Sequence, residues 1–173
     1  MEVIVFLLMA LAAAPQPRDG SHDFDFEIGE WQTHVRRLQK PLSGSTTWVE
    51  YAGTTAVRGL LGQRANVAEL VVAGPAGRIE GAALRLYNPA TRQWSINYFS
   101  AADGILTPPL VGEFRDGRGL FYGTDTLGGR TILVRFVIEK TGADTYRFEQ
   151  AFSDNAGDSW EINWVAIDTR RKP

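Results

Sequence analysis

The chain contains no cysteine and only two histidines among its 173 residues. Without cysteine there are no disulfide staples, no lipoprotein acylation site, no thiolate nucleophile and no Cys-ligated metal, so stability must come from packing. Clustered positive charge is also missing: the formal net charge is −2, with Lys and Arg scattered along the chain, which argues against a nucleic-acid partner. After residue 30 no long stretch keeps a 3.6-residue apolar period, which excludes a helical domain. No linker, repeat or low-complexity block divides the chain.

The longest apolar run, Val3 to Ala14, falls short of the roughly 20 residues a membrane span needs and has the length of a signal-peptide core. Ala10 and Ala12 supply a small-x-small cleavage pattern, while the residues before the run include Glu2 and no Lys or Arg. This predicts a signal peptide over 1–14, a periplasmic or secreted protein with no stable membrane span after leader cleavage, and one domain over 15–173. An uncleaved anchor is the alternative. Roughly 160 mature residues suffice for one core without disulfides.

Glycine and β-branched and aromatic residues are plentiful, in short runs bounded by turn signals. The runs predict strands at 30–39, 46–52, 54–61, 65–73, 79–87, 93–100, 110–115, 118–125, 130–139, 145–153 and 159–169. Three hairpins can be registered by requiring that apolar residues share a face. Around NPATR (88–92), pairing Tyr87 with Gln93 sets Leu86 against Trp94, Leu84 against Ile96 and Ala82 against Tyr98, with Arg85 on the polar face. Around SDNAGDS (153–159), pairing Phe152 with Trp160 aligns Gln150 with Ile162 and Phe148 with Trp164. Around KTGAD (140–144), pairing Ile138 with Tyr146 aligns Phe136 with Phe148 and Arg135 with Glu149. Arg135, Glu149 and Asn163 then form a polar ladder on the outer face. About ten such strands predict an all-β, closed antiparallel barrel, which removes sheet edges and hides the apolar face. Its expected interior is Trp31, Val35, Leu84, Leu86, Trp94, Ile96, Tyr98, Val134, Phe136, Ile138, Tyr146, Phe148, Phe152, Trp160, Ile162 and Trp164.

The segment HDFDFEIGEW (22–31) alternates acids with apolar residues and ends in Gly29-Glu30-Trp31. It resembles the Gly-x-Trp opening of lipocalins and other calycins. The resemblance implies a calycin-like barrel in which a short N-terminal turn or 3₁₀ helix closes one end and an Arg of the last strand packs across the Trp. Here that Arg is Arg170, and Phe24, Phe26, Gly29, Trp31 and Arg170 are the expected lid and closure. Asp23, Asp25 and Glu27 are expected to face water or cap the turn's amides. Together with LRLYNPATRQWSINYF and EQAFSDNAGDSWEINW, the whole mature chain is similar to a group of uncharacterised exported bacterial lipocalin-like proteins. That likeness implies a fold and no particular reaction.

Candidate chemistry is sparse. His22 with Asp23 and Asp25 offers too few ligands at a recognisable spacing to hold a metal, and none is expected. His34 has outward parity, against a haem site, and no cofactor is expected. No Gly-x-Ser-x-Gly elbow occurs. SDNAGDSW resembles the Asp-box hairpin, in which Ser153, Asn155, Gly157 and Trp160 are structural. Asp168 has inward parity, read as a salt bridge near the closed end in preference to acid/base chemistry. Gln150, polar on an apolar face, needs a partner: a Trp indole, a Tyr hydroxyl, or a bound ligand or water. Trp94, Tyr98, Phe136, Phe148, Gln150 and Trp164 are the cavity candidates. The loop 102–112 is either a lid or a rigid connection. These residues predict binding of a small apolar or amphipathic molecule. The alternatives are a cofactor-free enzyme of isomerase-like or other acid/base chemistry, which an inward Arg85, Arg135, Glu149 or Asn163 would favour, and a filled barrel that binds an envelope protein.

Overall fold

The computed structural model describes residues 18–172, and the leader expected over 1–14 lies outside the described residues. A 3₁₀ turn, Asp25–Glu27, precedes ten strands: β1 Gly29–Leu38, β2 Trp48–Leu60, β3 Ala65–Gly74, β4 Gly77–Asn88, β5 Gln93–Ser100, β6 Leu110–Arg115, β7 Arg118–Leu127, β8 Arg130–Lys140, β9 Thr145–Ser153 and β10 Glu161–Arg170. Each pairs antiparallel with its sequence neighbours, and β1 pairs with β10 to close the barrel. Closure leaves no free edge. Alternation drives the strands: in β1, Trp31, Thr33 and Val35 are buried while Glu30, Gln32 and His34 are exposed, the two-residue period of a strand with one core face. Among the described residues no helix is long and apolar enough to cross a membrane.

The runs at 46–52 and 54–61 are one strand. Gly53, which reads as a break, instead lets β2 cross β3 closely: a Cβ there would lie 2.0 Å from the Val71 carbonyl oxygen. A lone glycine inside a strand pattern marks such close approach.

The three expected registers are each displaced, with different consequences. At 140–144 the observed pairs are Lys140 with Tyr146, Ile138 with Phe148 and Phe136 with Gln150. That is a shift of two, which preserves faces. At 88–92 the shift is one: Tyr87 pairs with Trp94, Arg85 with Ile96 and Ala83 with Tyr98. Asn88 sets this register by accepting hydrogen bonds from the backbone N–H groups of Ala90 and Thr91, an Asx turn. A one-residue slip exchanges the faces of a strand, so Leu84 and Leu86 are exposed on the outside and Arg85 is buried inside. At 153–159, Phe152 pairs with Glu161, and the register shifts again between Ile162 and Trp164. Past that bulge Trp164, Ala166 and Asp168 keep their inward faces. Before it, Ile162 is exposed, and Trp160 sits on the outer surface beside Tyr122 and Arg135.

Candidate functional site

One barrel end is sealed by the N-terminal segment. Residues three apart eclipse in a 3₁₀ helix, so Phe24 and Glu27 both enter the barrel. The Phe24 ring meets Trp94 and Phe114 edge-on at 4.9 and 5.0 Å, and Phe26 packs edge-on against Tyr146 at 5.9 Å. The Gly20 carbonyl accepts from the Trp94 indole at 2.9 Å, and the Gly20 N–H donates to the Tyr87 hydroxyl at 3.1 Å. Trp31 donates its indole N–H to the Glu27 carbonyl at 2.6 Å. The Arg170 guanidinium lies 4.1 Å over the Trp31 ring and donates to the carbonyls of Ile28 and Phe26 at 3.0 and 2.7 Å. Gly29 adopts φ +130°, and a Cβ there would meet the same guanidinium at 2.8 Å. Phe24, Phe26, Gly29, Trp31 and Arg170 thus assemble around one closure.

Above this plug lies a cavity of about 590 Å³. Leu70, Ile96, Val134, Phe136, Ile138 and Phe148 line its walls. Its floor is polar. Glu27, fully buried, accepts from Arg85 at 2.8 Å. That guanidinium also reaches the Asn66 side-chain Oδ1 at 3.4 Å and lies 4.4 Å over Phe24. Asp168 accepts from the Thr33 hydroxyl, which sits 2.7 Å from the Thr55 hydroxyl. Tyr146 faces both Glu27 and Asp168. Burial pushes the Asp168 carboxyl up to about 7, and the nearby Glu27 charge adds to this, against hydrogen bonds from Thr33, Thr55 and Tyr146. Burial also raises Glu27, opposed by Arg85. Among the described residues Glu27 Oε1 and Arg85 Nε have no hydrogen-bond partner.

At the other end, Arg37, Arg78, Glu80, Asp103 and Asp125 ring the mouth. Tyr98 lies flat along the wall because Gly81 has no side chain; a Cβ there would stand 2.1 Å from the Tyr98 hydroxyl oxygen. The loop after β5 is pinned to that strand. The Thr107 N–H donates to the Tyr98 carbonyl at 2.8 Å, and Asn97 donates to the Thr107 carbonyl at 2.8 Å. Its residues Asp103, Thr107 and Pro108 form part of the rim, while Ile105 and Leu106 are exposed. It is a tethered connection that also shapes the opening.

Of the expected cavity residues, Tyr98, Phe136, Phe148, Gln150 and Trp164 line the cavity. Trp94 does not: the β4–β5 register places it at the plug, where Phe24 and Tyr87 bury it. Gln150 finds its partner in Asn163, donating to its side-chain Oδ1 at 2.8 Å. The β10 bulge therefore takes Asn163 out of the expected ladder. Arg135 and Glu149 remain together on the outer face at 3.9 Å, and Arg147 joins Glu149. Glu27 and Arg85 are the largest departures, since the sequence pattern places both outward and the structure buries both. Asp168 is inward as its parity implies, but hydroxyls rather than an arginine hold it. His34 lies outside, 3.5 Å from Glu50, and the exposed His22 bonds Asp25 at 2.8 Å. Among the described residues no cluster of three or more His, Cys, Asp or Glu is placed to hold a metal. In the SDNAGDSW turn, the Ser153 hydroxyl accepts from the Gly157 N–H at 2.9 Å and Asn155 accepts from the Ser159 N–H at 3.1 Å.

Two signals in the sequence point to the floor. The three-residue spacing of Phe24 and Glu27 puts the acid on the same face of a 3₁₀ turn as the plug aromatic. Asn88 at the start of NPATR marks a four-residue loop, whose register turns Arg85 inward.

No protein-family model and no curated protein matches this chain. Among solved structures it is similar to the S-type phycobiliprotein lyase CPES from Guillardia theta, with TM-score 0.61 and 10% identity over 91% of this chain and 99% of that one. It also aligns with a de novo designed fluorescence-activating β-barrel, with TM-score 0.45 and 13% identity over 90% of this chain and 100% of that one. A third alignment is with EF1p2_mFAP2b bound to DFHBI, with TM-score 0.47 and 10% identity over 88% and 99%. At such identity the likeness to the lyase is one of fold alone, a closed β-barrel.

Proposed function

We propose that this protein is a lipocalin-like carrier or receptor that holds one small amphipathic molecule inside its barrel. The observation that carries the reading is the 590 Å³ cavity with apolar walls and a polar floor. Small-molecule sites typically span about 300 to 1,000 Å³ and combine apolar linings with a few placed polar groups. Phe136, Phe148 and Trp164 supply contact area, Gln150 with Asn163 supplies a polar contact on the wall, and the floor groups receive the ligand's inner end. The similar barrel of a phycobiliprotein lyase accords with this reading. Export through the apolar run at Val3 to Ala14, and membership of the exported bacterial lipocalin-like group, complete the proposal.

A second reading is favoured by the inward Arg85 and by Asp168. A carboxyl with a pKa of about 7 in a cavity is matched to proton transfer at neutral pH, so a cofactor-free acid/base enzyme in the same cavity would use Asp168 as its acid or base. Native mass spectrometry of protein purified from its own host, followed by denaturation and analysis of what is released, tests the carrier reading. A one-to-one small-molecule adduct is the expected result. Bare protein whose melting temperature no lipid, isoprenoid or aromatic compound raises would contradict it.

A further inference from the structure

We infer that the ligand enters polar end first and that this end is a protonated amine, carried on an apolar body. The inference rests on the binding reading above and concerns the chemistry of the floor. Two carboxyl groups, Glu27 and Asp168, meet there with one guanidinium, Arg85. Arg85 bonds Glu27 and Asn66 and stacks over Phe24, and its Nε, like Glu27 Oε1, is unpartnered among the described residues. Acidic groups there outnumber cationic ones. Thr33 gives its proton to Asp168, Tyr146 has one hydroxyl to share between two carboxyl groups, and the fully buried Glu27 keeps Oε1 unpartnered among the described residues.

An ammonium brings three donors and no acceptor, and its charge balances the second carboxylate. A carboxylate or phosphate end would meet two acids against a single cation that is itself ion-paired to Glu27, and a buried like-charge contact is costly. A hydroxyl supplies one donor and no charge. The groups facing Asp168 are Thr33 from β1, Thr55 from β2, Tyr146 from β9 and Glu27 from the 3₁₀ turn, and beyond them Arg85 from β4 faces Glu27 and Tyr146. Of these only Arg85 is cationic.

The test is a calorimetric titration of the full chain with decylamine, decanol and decanoic acid, three probes with the same apolar body. At about pH 8 decylamine is expected to bind about tenfold more tightly than either of the others. Its affinity should also rise about tenfold between pH 6 and pH 8 as Asp168 ionises, whereas that of decanol should not rise. Asp168→Asn should abolish the rise. Equal binding of decanol or decanoic acid, or an amine affinity that does not change with pH, would overturn the amine assignment while leaving the binding reading in place. If none of the three binds, both fall.

Discussion

On folding, the Asp168 carboxyl leaves water, where its pKa is near 3.8, for a site that raises it to about 7. The folded state therefore holds a proton that the unfolded chain has lost across that window. Stability contributed by the neutral acid is fully present below about pH 4 and is lost as pH rises through about 7. The shift corresponds to roughly 4 kcal/mol at most, and buried Glu27, also raised, acts in the same direction. Wild-type protein is expected to have a higher denaturation midpoint at about pH 5 than at about pH 8, and Asp168→Asn should remove most of that difference. A midpoint that rises over the same range would show that Asp168 is ionised at little cost. Asp168's inward parity could be read from the sequence, but its partners could not. Thr33 and Thr55 lie far from it along the chain, and β1 closes onto both β10 and β2 to bring the three together. Arg85 was misplaced because one local hydrogen-bonding choice, at Asn88, decides which face it takes.

At the level of elements, the plug and the hairpins differ in how much local sequence determines them. The plug's own residues are local, Phe24, Glu27, Ile28 and Trp31 lying within eight residues, while Arg170 and the aromatics that receive the plug come from afar. That closeness is why the closure was legible. Trp31 is 1% exposed and joins Arg170, Tyr146 and the Glu27 carbonyl, so Trp31→Ala should cost about 3 to 5 kcal/mol. Urea denaturation measures this, and an unchanged midpoint would refute the closure described here. The hairpin around 140–144 is displaced by two residues because registers two apart separate apolar from polar faces equally well, and that around 153–159 is displaced by one before the β10 bulge restores the inward faces. The β10 bulge, an extra residue at Asn163, has no signature in the alternation that would distinguish it from a strand running straight.

For the whole molecule, ten alternating strands and a shortage of helical periodicity made the closed barrel readable, since few other arrangements hide one apolar face along every strand. Whether large aromatics would fill the barrel was not readable. Volume depends on where each ring lies, and Trp94 packs into the plug while Tyr98 lies against Gly81, leaving the middle of the barrel open. The central claim is that this middle receives a ligand. Methyl-resolved NMR during titration with decylamine, and with decanol in turn, tests it most directly. The account predicts shifts at the inward methyls of Leu70, Ile96, Val134 and Ile138, with the outward Leu84, Leu86, Ile162 and Ile167 unmoved. Shifts confined to the outward set, or none at saturating probe, would contradict it.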